Sequence, residues 1–347
     1  MTKFWNKHSK EIIIATIVLL VLCIFAIVYQ QFQYSSLSSV EEELPNEARS
    51  EDVLTDMFYS DQLTDLELEN FNLLEERMQA KKGGVVEFTE PLTGEEYLRV
   101  TAAIAYESGN YYYGMIDIPM TKKNVCVSYK SDLTEVTDSI ITKCILFISA
   151  AEGINEQGKY DEDGTVTNLD EIEAGLAAND EAKLTAIEQK EAETEKIISE
   201  ILSGIPAEYG EKETVDYFLK WMDENLTYNT ELSAQAASFK TMEDMFEGAY
   251  TNVNTVCVVD GKATALGYVK LLSELCNRAG ISSHIVMGAW GSGGQSAYAL
   301  CEINLGGTSV YVDASGYKSS DLSGQRYISE ETAKKKMSFS NYFDYSN

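Results

Sequence analysis

Two histidines and six cysteines limit what this chain can do with a base and a nucleophile. Acyl transfer through a thiol needs a thiolate, an imidazole that takes its proton and returns it, and a carboxylate that orients the imidazole. Beyond the first thirty residues the candidates are Cys126, Cys144, Cys257, Cys276, Cys301 and His284. Cys257 stands eight residues ahead of a helical run that opens at Ala265, so the positive end of that helix would not activate it, and it reads as a core cysteine. His284, in SSHIVMG, shares a strand face with Ser282 and Val286 and reads as a surface or edge histidine. Cys257 with His284 is the only pairing of the chain's own groups that would support a cysteine hydrolase or transamidase. With so little histidine, a His-rich metal centre is excluded, and no motif calls for a cofactor. Residues 159–171, KYDEDGTVTNLDE, place Asp161, Asp163, Gly164 and Asp170 near calcium-loop spacing, but Lys159 stands where the first ligand belongs, so an acidic turn is expected. The outer cysteines are odd in number and too sparse for a disulfide framework.

The elements that must position such groups follow from charge and periodicity. The formal charge of the 347-residue chain is -29, which excludes a protein that tracks nucleic-acid phosphates, while 44% hydrophobic residues suffice for a core. Ile12 to Tyr29 run 18 positions without a charge, enough for a transmembrane helix. Lys3, Lys7 and Lys10 precede it, and the next basic residue is Arg49, so a cytoplasmic tail over 1–11 and an extracytoplasmic remainder are expected at a cell membrane. Residues 30–66 are polar and acidic and read as a stalk. A small α/β region follows over 67–150, with helical spacing in LELENFNLLEERMQ, strands at YYYGMIDI and VCVSYKS, and CILFIS as a buried element. Residues 151–196 form an acidic helical connector. Over 197–347, TVDYFLKWMDENL carries a helical stripe, and GKATALGYVKLLSELCNRAGI is a second helix closed by Gly280 as C-cap. HIVMGAW, AYALCEINL and SVYVDAS then read as an antiparallel meander, which makes the fold class α+β.

From about Ile197 to Tyr317 the chain resembles the transglutaminase-like superfamily, which shares the papain-like fold. Asn225-Leu226-Thr227-Tyr228 matches an N-x-x-Y segment. Gly261, Lys262, Ala263, Thr264, Ala265, Leu266, Gly267, Tyr268 and Val269 follow a pattern like G-K-A-V-C-x-G-Y-A without a gap, and Gly280-Ile281 falls on schedule. The resemblance puts the nucleophile position at Ala265. It matches the H-A-W-N element with Ser296-Ala297-Tyr298-Ala299, hence the histidine position with Ser296, and the third group with Asp313 in YVDAS. Alanine cannot attack a carbonyl and serine is no base near neutral pH, so the resemblance implies a domain that has lost catalysis and serves as a binding or scaffold module. The alternative is a residual cysteine hydrolase or transamidase acting on proteins or cell-wall peptides.

The expected architecture is therefore a papain-like core of helices on an antiparallel sheet, preceded by a small α/β region and an N-terminal transmembrane helix. Ala265 is expected at the start of a buried helix, facing a cleft shared with Ser296 and Asp313. Trp290, in the glycine-rich segment GAWGSGGQS, is expected as a ligand contact on a loop. The expected partners are the membrane, through the N-terminal helix, and a surface protein or a cell-wall peptide or glycan.

Overall fold

The computed structural model describes residues 44–82, 84–107, 113–119, 140–148, 180–230, 254–291, 296–318, 322 and 324–345. The anchor expected over 12–29, the strand VCVSYKS and the acidic turn over 159–171 lie outside the described residues. Among the described residues, no helix is long and apolar enough to cross a membrane.

The chain is α+β. Helix α1 (Asp65–Gln79) starts at a capping box in which Thr64 Oγ1 accepts from Glu67 N–H and Glu67 Oε2 accepts from Thr64 N–H. Strand β1 (Gly84–Thr93), helix α2 (Gly94–Glu107), and strands β2 (Tyr113–Pro119) and β3 (Ile140–Ile148) complete a three-stranded antiparallel sheet in the order β1-β3-β2. The apolar run CILFIS lies mostly within its central strand.

After helix α3 (Asp180–Ser203) come α4 (Glu211–Asn225), a two-residue strand β4 (Thr227–Tyr228), a short helix α5 (Cys257–Asp260), β5 (Lys262–Ala263) and α6 (Ala265–Arg278). The C-terminal sheet has five antiparallel strands in the order β10-β6-β7-β8-β9, formed by β6 (Ser283–Trp290), β7 (Ser296–Leu305), β8 (Thr308–Val312), β9 (Tyr327–Ile328) and β10 (Met337–Phe339), with helix α7 (Glu330–Lys336) before its last strand. Helix α6 ends as its glycine requires. Gly280 takes φ +80, and Ile281 N–H bonds back to the Cys276 carbonyl at 2.9 Å, satisfying a carbonyl that the last turn would otherwise leave unpaired. An apolar core joins the layers, from Phe71 and Leu74 on α1 through Phe218 and Met222 on α4 to Leu272 and Leu275 on α6.

Residues 44–63 correct one expectation. They form a strap laid on the globular part, where a free acidic stalk over 30–66 was expected. Asn46 Oδ1 accepts from Glu213 N–H at 3.1 Å, and the Glu47 carbonyl accepts from Glu211 N–H at 2.7 Å, so the strap caps the first turn of α4. The residue at the cap position is Gly210, and a Cβ there would meet Asn46 Oδ1 at 2.5 Å. Only glycine leaves room for the cap to arrive from another part of the chain. Further along, Leu54 N–H donates to the Asn277 carbonyl at 2.9 Å, and Tyr59 is fully buried, its hydroxyl donating to the Ile285 carbonyl.

Candidate functional site

The first turn of α6 is placed by a small parallel ladder. Thr227 N–H donates to the Gly261 carbonyl at 2.9 Å and Asn229 N–H to the Ala263 carbonyl at 2.8 Å, with Gly261 at φ +65 making the turn. This fixes Tyr228 beside the start of α6, where Ala265 is the first helical residue and 6% exposed. The first turn of α6 thus begins with a methyl group at Ala265, the position that the resemblance assigns to the nucleophile.

Asp313, immediately after β8, is fully buried. Its Oδ1 accepts from Tyr298 Oη at 2.8 Å, Ser315 Oγ at 2.9 Å and Gly316 N–H at 3.1 Å, and its Oδ2 accepts from Lys318 N–H at 3.1 Å. Arg326 Nε donates to the Asp313 carbonyl at 2.8 Å, while its guanidinium pairs with Asp223 at 2.9 Å. Four donors compensate the desolvation of one carboxylate. The group that Asp313 holds is the hydroxyl of Tyr298. Burial first, and then the adjacent Asp313 charge, push that phenol far above its ordinary range, so it stays a neutral donor.

Ser296 opens β7 opposite Trp290, whereas the side chain on Asp313 is that of Tyr298, two residues later. Strand register explains why. Cys301 pairs with Val312, so extending the β7–β8 ladder sets Leu300 opposite Asp313 and Tyr298 opposite Ser315, and Tyr298 Oη lies 2.8 Å from Ser315 Oγ. Tyr298, two residues from Leu300 along the same strand face, thus reaches the Asp313 carboxylate diagonally with its long side chain.

Around this pair the aromatic rings make a wall. Tyr228 stacks on Tyr317 with centroids 4.0 Å apart and planes at 5°, and Tyr268 lies 6.3 Å from Tyr228. The Lys318 ammonium sits 5.2 Å from the Tyr317 centroid and 5.7 Å from that of Tyr298. Tyr317 is 46% exposed, so the wall opens to solvent. Burial pushes the Tyr268 phenol up to about 12, with the neighbouring Cys257 and Asp223 adding to the shift and Arg326 opposing it.

Trp290 is not on a loop. It ends β6, is 5% exposed, and packs its ring 5.1 Å from that of Tyr298, which makes it backing for the site. Cys257 is fully buried in α5, its Sγ 3.9 Å from the Gly267 carbonyl, and burial pushes its thiol far above the ordinary value. His284 lies in a different neighbourhood: its ring stacks on Phe58 at 3.8 Å and its Nε2 is 3.3 Å from Glu302 Oε2. It is a packed residue, 14% exposed at its side chain, where a surface or edge position was expected. The pair required for a residual cysteine enzyme is therefore engaged elsewhere at both ends. Cys144, Cys276 and Cys301 are also buried.

No protein-family profile matches the chain, and no curated protein does. Among solved structures, a TGase matches with a TM-score of 0.31 and 13% identity over 68% of this chain and 51% of its own. A candidate cysteine protease from Cytophaga hutchinsonii matches with a TM-score of 0.26 and 18% identity over 41% of this chain and 42% of its own. A candidate protease from Parabacteroides distasonis gives 0.24 and 13% over 58% and 37%. The chain thus spans between about a third and a half of each of these proteins. Their names are in keeping with the transglutaminase-like resemblance, but similarity of this size carries neither fold nor activity across, and both rest on the chain's own residues.

Proposed function

We propose that this chain is a membrane-anchored, extracytoplasmic protein whose transglutaminase-like domain binds a ligand without turning it over. The observation that carries this reading is what stands at the positions the resemblance assigns: a methyl group at the head of α6, and a neutral tyrosine hydroxyl bound to the buried carboxylate of Asp313. A phenol that stays protonated cannot take a proton from a nucleophile, and alanine offers none to take. The buried state of every described cysteine supports the same conclusion.

The ligand face is formed by Tyr228 and Tyr317, backed by the buried Tyr268, with the Lys318 ammonium beside it. Flat aromatic faces suit the apolar side of a sugar ring or a planar side chain, and a neighbouring ammonium suits a carboxylate. A cell-wall peptide or glycan, or a surface protein segment of that chemistry, fits. The test is titration of soluble muropeptides into the full chain in detergent, followed by the intrinsic fluorescence of Trp290 and its neighbours. Saturable binding, weakened at least fivefold by Tyr317→Ala, with the muropeptide recovered intact, is the expected result. Cleavage or cross-linking of the muropeptide, or rapid labelling of Cys257 by an electrophile at neutral pH, would overturn the reading.

A further inference from the structure

Where the strap crosses the start of β6, ionisable side chains gather that the ligand face does not use. Asp56 lies in the strap, and its Oδ1 accepts from Phe58 N–H at 3.1 Å. The Phe58 ring lies flat on His284 at 3.8 Å, and His284 Nε2 is 3.3 Å from Glu302 Oε2 on β7. From the other side, Glu107, the last residue of α2, receives the strap: its Oε1 accepts from Ser60 N–H at 2.8 Å and from Tyr59 N–H. Tyr59 is enclosed by the rings of Tyr106 and Phe343 at 5.0 and 4.7 Å, and its hydroxyl is 3.3 Å from that of Tyr345.

We propose that residues 54–63 are a proton-controlled clasp, closed when Asp56 and Glu107 are protonated and loosened when both are charged. The physical reason is that two carboxylates flank three successive amides of one strap turn, those of Phe58, Tyr59 and Ser60, with Tyr59, Tyr106, Tyr345 and Cys301 around them, His284 beside Asp56, and Glu302 beyond it. The Arg99 guanidinium, which donates to the Gln62 carbonyl, is a fixed positive charge on the strap. Burial raises Glu107 from 4.5 to about 7, with the Asp56 charge adding to it and hydrogen bonds from Ser60 and Tyr59 opposing it. Burial raises Asp56 from 3.8 to about 6, against the Phe58 N–H bond and His284, both of which favour its anion. A carboxyl with a higher pKa docked than free takes up a proton on docking, so docking strengthens as pH falls through 7 and weakens as pH rises toward 8. Glu302 shifts the other way, held down by His284 and by Ser309 against burial, and acts only at more acidic pH.

Hydrogen exchange of the full chain tests this directly. After correction for intrinsic exchange rates, the protection of amides in 57–63 should be about tenfold higher at pH 6 than at pH 8, as expected for one proton taken up across that interval. Protection of α6 should not change between the two. Glu107→Gln keeps an oxygen for the Tyr59 and Ser60 amides but cannot titrate, so its protection should be nearly equal at both pH values. Asp56→Asn should remove a smaller part of the difference. Equal protection of the unaltered chain at pH 6 and pH 8 would overturn the proposal, as would an undiminished difference in the two variants combined.

Discussion

A tyrosine hydroxyl on a buried carboxylate is a different chemical object from an imidazole there. It donates one hydrogen bond, carries no exchangeable charge near neutral pH, and joins three donors from the turn after β8 in fixing Asp313. Restoring the missing groups therefore has a specific address. Ala265→Cys alone should give a thiol with the modest activation that a helix N-terminus provides. Adding Tyr298→His should raise its alkylation rate at pH 7 by about tenfold or more, since an adjacent imidazolium stabilises the thiolate. Adding Ser296→His in its place should not. Alkylation rate against pH for these three variants is the measurement, and equal rates for the two double variants would mean that Tyr298 does not face residue 265. Tyr298→Phe, with no new group introduced, should lower stability by about 1–2 kcal/mol in urea unfolding, because one of the donors to a buried charge is lost.

Elements were legible in the sequence to the degree that their own residues carried the signal. The stripe on α4, the run of α6 with Gly280 at its end, and the alternation of β6, β7 and β8 are local patterns, and each formed near where its pattern lay. The strap carried no such pattern. Its order comes from partners far along the chain, as with Asn46, which caps a helix 167 positions away in sequence. The contact of Tyr298 with Asp313 was illegible for a related reason: it is a diagonal reach between strands, which the letters of β7 do not carry. Two predictions belong to this scale. Asn46→Ala should cost about 1 kcal/mol by removing the cap of α4, read as a shift in the urea midpoint at constant slope. Arg99→Met should cost more, about 3 kcal/mol, because Glu67 is 2% exposed at its side chain and its Oε1 would be left unpaired 2.8 Å from where Arg99 Nε had been.

At the scale of the whole molecule, the two ends of the described chain close on one another. Arg99 on α2 donates to the carbonyls of Gln62 in the strap and Tyr342 near the C-terminus, Asp344 N–H donates to Gln62 Oε1 at 2.7 Å, and Phe343 and Tyr345 are buried against Tyr59. The strap is thus a structural member tying α4, α6, the C-terminal sheet and α2 together, and its path runs over glycines at the points of closest approach. A Cβ on Gly280 would meet the Ser50 carbonyl oxygen at 2.2 Å, whereas one on Gly307, which has a similar positive φ of +81, would meet nothing within 4 Å. The comparison separates two costs that usually arrive together. Gly307→Ala should show only the penalty of a left-handed alanine, about 1 kcal/mol. Gly280→Ala should add the displacement of the strap: a larger fall in thermal midpoint, with faster amide exchange at Leu54, whose N–H bonds to Asn277 at 2.9 Å, and in the segment beyond it up to Tyr59. If the two variants lose the same stability and exchange in residues 50–59 is unchanged, the strap does not hold the molecule together, and its contacts would be passive consequences of a body that folds without it.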